Sequence, residues 1–270
     1  MPDTSQPLLR VEHLKKVYES PQGPVEAIGD LTFEVRRGEL LCIVGPSGAG
    51  KTTLLKCIAG LLPSTSGVIE LDGAAVSGPP ARMALVFQEY GRSLFPWLTV
   101  GGNVGLPLKN RKMARDERKA TIERTLASVG LAGQAAKYPW QLSGGMQQRV
   151  AIARAVAYEP EILVMDEPFA AVDAQTRADL EDLVRELWSN LGVTVLFVTH
   201  DIDESVYLGE RVLVLSNAPT FVQEAVTIDL PAKRDQLSTR ADPRFIELRT
   251  HIYEQIQIAK RGGNAPGADK

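Results

Sequence analysis

Apolar residues recur along this chain in two rhythms. The first is the short unbroken run. Leu40-Leu41-Cys42-Ile43-Val44, Ile162-Leu163-Val164-Met165 and the apolar stretch from Val193 to Thr199 have the length of strands buried on both faces. Leu8 to Leu14, Val25 to Val35, Val68 to Leu71, Met83 to Phe87, Arg211 to Leu215 and Phe221 to Leu230 read as further strands, with Asp72-Gly73 as a turn. The second rhythm is helical. Thr52 to Ala59 predicts a helix that stops at Gly60. From Glu89 to about Pro160 the pattern is mostly helical, with Ile122, Leu126 and Val129 on one face. Leu180, Leu183, Val184 and Leu187 make a second apolar stripe, Ile202 to Leu208 a short helix, and Asp242 to Lys260 a terminal one. Arg261 to Lys270 is Gly/Pro/polar and predicts a disordered tail. Strands that alternate with helices predict an α/β fold with a mainly parallel sheet covered on both faces. No internal repeat interrupts the pattern.

Composition narrows the partners more than the fold. The chain has 270 residues, 44% hydrophobic and 23% charged, with a net charge of −3. That suffices for one large core or two modest ones. The pI of about 5.8 gives no basic bias toward nucleic acid. Cys42 and Cys57 fall in an apolar strand and on an apolar helix face, so both read as buried, reduced thiols. No apolar run approaches the ~18 residues a membrane span requires. Met1 to Pro7 lacks a basic-then-apolar leader. A soluble cytosolic chain is expected, reaching any membrane through a partner. Lys109 to Arg124 carries seven basic and three acidic residues. Mixed signs favour a solvated helix face over an anion-binding patch.

The candidate chemistry centres on Gly45-Pro46-Ser47-Gly48-Ala49-Gly50-Lys51-Thr52-Thr53, which fits G-x-x-x-x-G-K-[ST] between a strand and a helix. Gly45, Gly48 and Gly50 should adopt positive φ and let the backbone approach phosphate oxygens. Successive N–H groups and the helix start then form an anion cradle. Lys51 should reach the β- and γ-phosphates and Thr52 ligate magnesium. Farther on, Asp166-Glu167 closes a buried strand. A parallel strand delivers its C-terminal end to the ligand crevice, so Asp166 should face the magnesium and Glu167 an attacking water. Two acids at a solvated strand end are the bland alternative. Leu142-Ser143-Gly144-Gly145-Met146 predicts a Ser-capped helix running through Ala157 and hence a second anion-binding helix start. One ATP does not need both starts from one chain, whereas two chains paired head to tail would use both. His200 ends an apolar strand and should point into the same crevice.

Taken together, these stretches resemble the ATP-binding cassette (ABC) subunit of a membrane transporter over about residues 8 to 230. The resemblance implies a phosphate-loop NTPase core with an antiparallel β subdomain and an inserted helical subdomain. It places a cassette domain at 1–236, with the helical insert at about 89–160, and a terminal helix and tail at 237–270. Tyr18 matches the aromatic that stacks on adenine, Gln88 the glutamine that senses magnesium and water, Ser143-Gly144-Gly145 the signature, and Asp173 the loop linking two sites. Asp166 and Glu167 match the acids of the buried strand, and His200 the switch histidine. Catalysis would fall to Glu167, His200, Gln88 and Lys51, and magnesium to Thr52, Gln88 and Asp166. A turn aromatic at Tyr18 and a plain helix cap at Asp173 are the alternatives.

A narrower likeness, to the nitrate/sulfonate/taurine importer branch, rests on Gln88 to Val100, on Tyr138-Pro139-Trp140-Gln141, on Asp173 to Arg177 and on the terminal helix from Asp242. Met146, in place of the usual glutamine, is common there. Ala170-Ala171-Val172-Asp173 departs from the family pattern but keeps the aspartate. The resemblance implies ATP and magnesium, a second ATP-binding subunit, permease subunits at the cytoplasmic face of the membrane and, indirectly, a solute-binding protein. Leu94, Phe95 and Trp97 are either permease anchors or subdomain core. A soluble ABC ATPase on nucleic acid or ribosomes is one competing class; a GTPase or phosphoryl-transfer enzyme is another, lacking here an Asn-Lys-x-Asp motif and unable to explain the signature.

Overall fold

The structure is a computed structural model that describes residues 7–88 and 93–261. Two compact units make up the chain. One runs to Pro80 and resumes at Thr194; the other spans Ala81–Val193.

The first unit contains β1 (Leu9–Tyr18), β2 (Val25–Val35), β3 (Leu40–Val44), α1 (Lys51–Ile58), β4 (Ser66–Leu71) and β5 (Ala74–Ala75). After the second unit it continues with β8 (Thr194–Val198), α6 (Ile202–Leu208), β9 (Arg211–Leu215), β10 (Thr220–Thr227), α7 (Ser238–Ala241) and α8 (Pro243–Lys260). Its strands lie in the order β5-β4-β1-β2-β10-β9-β3-β8. β3 runs parallel to both β8 and β9, with Cys42 opposite Phe197 and Val212. Every residue of β3 and β8 is buried, as a parallel strand covered on both faces requires. β1, β2, β4 and β5 are antiparallel. In β2, Leu31, Phe33 and Val35 are buried and alternate with exposed Thr32 and Glu34, the period-two signature of a sheet with one wet face.

β1 runs past Leu14 to Tyr18. Register shifts between Val11 and Leu14 and between Lys16 and Val17, with His13 at φ 47°, carry the strand across Lys15-Lys16, where the apolar alternation breaks. Ahead of β3, the buried Glu39 carboxylate accepts from the Arg36 N–H at 2.8 Å and from Arg211 Nε at 2.8 Å. This ties the turn before β3 to the start of β9. The terminal helix α8 is capped by Asp242, which accepts from the Arg244 N–H, and buries Phe245, Leu248, Ile252 and Ile256 at helical spacing. Both cysteines are buried, and neither forms a disulfide among the described residues.

The second unit contains β6 (Met83–Val86), α2 (Val100–Val104), α3 (Arg115–Ser128), α4 (Gly144–Val156), β7 (Ile162–Asp166) and α5 (Ala174–Leu191). β6 and β7 pair in parallel, Val86 opposite Met165. In α5, Leu180, Leu183, Val184 and Leu187 are buried as the stripe predicts. Asn103, fully buried, accepts from the Phe95 N–H at 2.8 Å, and its Nδ2 lies within 3.2 Å of the Phe95, Leu98 and Thr99 carbonyls. The loop before α2 is thereby pinned. Leu94 is core at 3% exposure, while Trp97 stands out at 71% with its ring 5.2 Å from Phe95. The core reading therefore holds for Leu94 and not for Trp97. The stretch 89–92 within the Gln88-to-Val100 likeness, and all but Arg261 of the expected tail, lie outside the described residues.

Candidate nucleotide and signature sites

In the first unit, α1 begins directly at Lys51, one residue earlier than the periodicity predicts, because Gly50 in the left-handed conformation (φ 68°) closes the loop as N-cap. A Cβ at Gly50 would lie 3.1 Å from the Ala27 carbonyl and 3.3 Å from Thr220 Oγ1. Gly48 is also left-handed, at φ 82°, and faces open space. Gly45 is not in that region, contrary to expectation. Its constraint is proximity: a Cβ there would meet Leu215 Cβ at 3.0 Å. Thr220 is a supporting residue that motif reading overlooks. It is fully buried, and its hydroxyl lies 2.9 Å from the Ala27 carbonyl and 2.8 Å from that of Ala49, pinning β10 to the loop.

The Lys51 ammonium is buried and donates to the Gly45 and Pro46 carbonyls at 2.9 and 3.1 Å. No side chain caps α1 and no acid occupies its first turn, so its N-terminal dipole is uncompensated there. Ser47, Gly48 and Thr52 lie exposed along the rim, while Pro46 and Ala49 are buried beneath it. Such a set fits a polyphosphate: a positive helix start, a retractable ammonium and, in Thr52, an accessible hydroxyl for a hard cation. Tyr18 ends β1 beside it. Its hydroxyl is 3.2 Å from Thr53 Oγ1, its ring is partly exposed, and the Lys16 ammonium lies 5.3 Å from the ring centre. His200 is exposed after β8, in a turn braced by the Asp201 N–H bond to Thr199 Oγ1 at 3.0 Å and by Asp201 capping α6. It opens on a 530 Å³ pocket shared with Asp203 and with Arg249, Thr250 and Tyr253 of α8, a neighbourhood that the motifs do not reveal.

In the second unit, Asp166 ends β7 and is buried. Glu167 follows at φ 43°, a conformation that costs a bulky residue of order 1–3 kcal/mol. The motif does not disclose that strain. Its Oε2 accepts from Gln88 Nε2 at 3.3 Å, so the two residues expected to handle water are already in contact.

Ser143 caps α4 by accepting from the Met146 N–H at 3.3 Å. Gly144 is exposed at the helix start. Gly145 is required by closeness: a Cβ would sit 2.4 Å from Thr176 Cγ2. Thr176 in turn donates to Asp173, from its N–H at 3.0 Å and its hydroxyl at 2.7 Å. Asp173 is thus the N-cap of α5, and those two donors hold its carboxyl below the usual range. The signature glycine and the linking aspartate therefore meet through one threonine.

The ABC transporter family profile matches residues 28–170. A nitrate import ATP-binding protein of Synechocystis is 42% identical over 254 residues, covering 92% of this chain and 95% of that protein. An aliphatic sulfonates import ATP-binding protein of Burkholderia cenocepacia is 43% identical over 251 residues, covering 93% and 88%. Among solved structures, a dimeric ATP-binding cassette in a post-hydrolysis state with ADP and phosphate superposes with a TM-score of 0.71 at 32% identity, over 83% of this chain and all of that one. The chain belongs to the ABC transporter family, as an ATP-hydrolysing cassette of the phosphate-loop fold. No described helix is long and apolar enough to cross a membrane.

Proposed function

We propose that this ATPase energises import of a small solute, an anion of the nitrate or sulfonate kind, through a separate permease, and that it works as a pair of identical chains. The observation that carries the reading is the chain's possession of two distinct helix starts suited to anions, at Lys51 and at Ser143-Gly144-Gly145, with the second wired to Asp173 through Thr176. Head-to-tail pairing gives both a role: the phosphate loop of one copy and the signature of the other enclose one ATP. The dimeric cassette relative supports that arrangement, and the nitrate and sulfonate relatives support the solute class.

Tyr18 stacks on the adenine. Lys51 turns from the loop carbonyls to the β- and γ-phosphates, where the N–H groups of Gly48 to Thr53 complete the cradle. Gly45, Pro46, Ser47 and Ala49 shape its wall. Thr52, Gln88 and Asp166 would hold magnesium, which would supply charge neutralisation on the phosphates. Glu167 orients a water for in-line attack, Gln88 steadies it, and His200 contacts the γ-phosphate. Positioning and electrostatics carry such a reaction. Asp173 links the two sites of the pair. Trp97, exposed on its pinned loop, is the anchor for a permease helix, and a solute-binding protein completes the system outside the membrane.

Two measurements test this. The Glu167→Gln protein should bind ATP, lose turnover by roughly 10²–10⁴-fold, and form a dimer in ATP by light scattering. A monomer at saturating ATP refutes the paired site. Native purification from solubilised membranes should recover a multispan permease whose ATPase rises with a binding protein loaded with nitrate or a sulfonate. Recovery with ribosomes or nucleic acid instead refutes the import reading and leaves the ATPase standing.

A further inference from the structure

The inward face of α3 is chemically odd. Thr121, Arg124, Thr125 and Ser128 recur at helical spacing on the side of α3 that lines a cavity of 390 Å³. A helix face turned toward its own unit is ordinarily apolar; here it carries the buried Thr121 and Thr125, with Arg124 and Ser128 exposed at the cavity's edge. The opposite wall is apolar: Val156 at the end of α4, Leu163 of β7, and Leu191 and Val193 at and beyond the end of α5. The volume lies within the range of small-molecule sites, and an apolar wall with a few convergent polar groups is their usual composition.

The Ser128 hydroxyl donates to the Thr125 carbonyl at 2.9 Å, but the other polar groups are only partly used by the fold. Thr125 is 91% buried, yet among the described residues its hydroxyl makes no hydrogen bond. Arg124 gives one bond, Nη2 to Thr121 Oγ1 at 3.1 Å, and among the described residues has no carboxylate within ion-pair distance. The acid on the rim, Glu159, is already engaged by Arg111 at 3.1 Å. The cavity therefore presents an uncompensated cation and a free hydroxyl at one side and aliphatic surface at the other.

We propose that this cavity binds a small aliphatic anion, a short alkyl chain ending in a sulfonate or carboxylate, with its head on Arg124 and Thr125 and its tail on Val156, Leu163 and Val193. A head of this charge completes the guanidinium pairing, and charge-assisted bonds are about twice as strong as neutral ones. The tail exchanges water for the apolar wall. The site is separate from the nucleotide machinery and does not depend on the identity of the transported solute. Its walls nevertheless include the far end of the signature helix and the strand that leads to Asp166-Glu167, so occupancy bears on turnover.

The test uses the full chain with labelled Leu and Val methyls, titrated with 1-hexanesulfonate, hexanoate, 1-hexanol and sulfate. Saturable shifts are expected at Leu163, Leu191 and Val193 with hexanesulfonate or hexanoate. Hexanol and sulfate should each bind at least roughly tenfold more weakly, because each lacks one half of the match. Arg124→Gln, an exposed-residue change that leaves ATPase turnover without additive intact, should weaken hexanesulfonate roughly tenfold, the equivalent of about 1.4 kcal/mol. Ser128→Trp, which fills the cavity, should abolish binding. Absence of saturation, equal binding of hexanol or of sulfate, or an unchanged affinity in Arg124→Gln each overturns the proposal. If only one of the two head groups binds, the proposal stands with its class narrowed to that head.

Discussion

Replacing Gly145 with alanine tests how tightly the signature helix is set against α5. The new methyl carbon would lie 2.4 Å from Thr176 Cγ2, well inside contact distance. Threonine is β-branched and short, so it cannot lean away; it must rotate about χ1 or the helix must move. Rotation forfeits the 2.7 Å hydroxyl bond to Asp173, a loss of about 1 kcal/mol. Overpacking adds about 1–3 kcal/mol. Against these stands alanine's helical preference over glycine, roughly 0.5–1 kcal/mol. The net expectation is a destabilisation of about 1–3.5 kcal/mol.

The sign should reverse when Thr176 is first changed to serine. Serine keeps the hydroxyl for Asp173 and lacks Cγ2, and the next nearest atoms, Thr176 Cβ and Oγ1, are at an ordinary 3.7 and 3.8 Å. In that background Gly145→Ala should stabilise by roughly 0.5–1 kcal/mol, giving a coupling energy of about 1.5–4.5 kcal/mol. Urea denaturation of the four proteins at constant m-value measures it. Equal effects of Gly145→Ala in both backgrounds would refute the argument that Thr176 is what excludes a side chain at Gly145. Turnover adds a second reading: if the Gly145–Thr176–Asp173 contact couples the signature to the linking loop, the double variant should recover stability and part of the lost ATPase activity together.

Other expectations follow from single contacts. Glu39→Ala leaves the Arg36 N–H without its acceptor and the partly exposed Arg211 guanidinium with only the Glu34 carbonyl, and should lower stability by about 1–3 kcal/mol in urea denaturation; a loss below about 0.5 kcal/mol would refute a stabilising role for the carboxylate. Tyr18→Ala should weaken ATP binding by about 1–3 kcal/mol by calorimetry, whereas Tyr18→Phe, which loses only the 3.2 Å contact to Thr53, should bind nearly as well as the parent. Asp173 has a depressed folded-state pKa, so its contribution is fully present above the ordinary carboxylate value of about 3.9 and disappears as pH falls through its own lower value. The stability gap between the parent and Asp173→Asn should therefore be constant above about pH 5 and close below about pH 4; a pH-independent gap would show that hydrogen bonding to the charged form is not what lowers it.

What could be read from the chain, and what could not, divides by the range of the physical constraint. β3, β7 and the apolar core of β8 announce themselves because a doubly covered strand must be apolar at every position. The caps of α4 and α5, Ser143 and Asp173, are visible because a cap acts within three residues. The phosphate loop is visible because its glycines answer to local backbone conformation, yet Gly45 shows the limit: its neighbour, Leu215, is remote in sequence, so local reasoning assigns the right residue for the wrong reason. The first strand, expected to end at Leu14, runs on to Tyr18 because no periodic rule foresees a bulge. Thr220, Glu167's left-handed backbone and the Gly145–Thr176 approach depend on contacts or strain that periodicity does not encode. The same blindness hid the polar face of α3. A search for a 3.6-residue apolar stripe finds Ile122, Leu126 and Val129, and discards as solvent-facing the adjacent Thr121 and Thr125, which are buried, along with Arg124 and Ser128, which are exposed. Burial is inferred from polarity in such a search, so buried polar faces are misassigned by construction. Those are also the faces that a fold retains at a cost in stability, because unpaired polar groups disfavour the folded state. The residues most opaque to pattern reading are thus the ones whose chemistry most needs a purpose beyond packing.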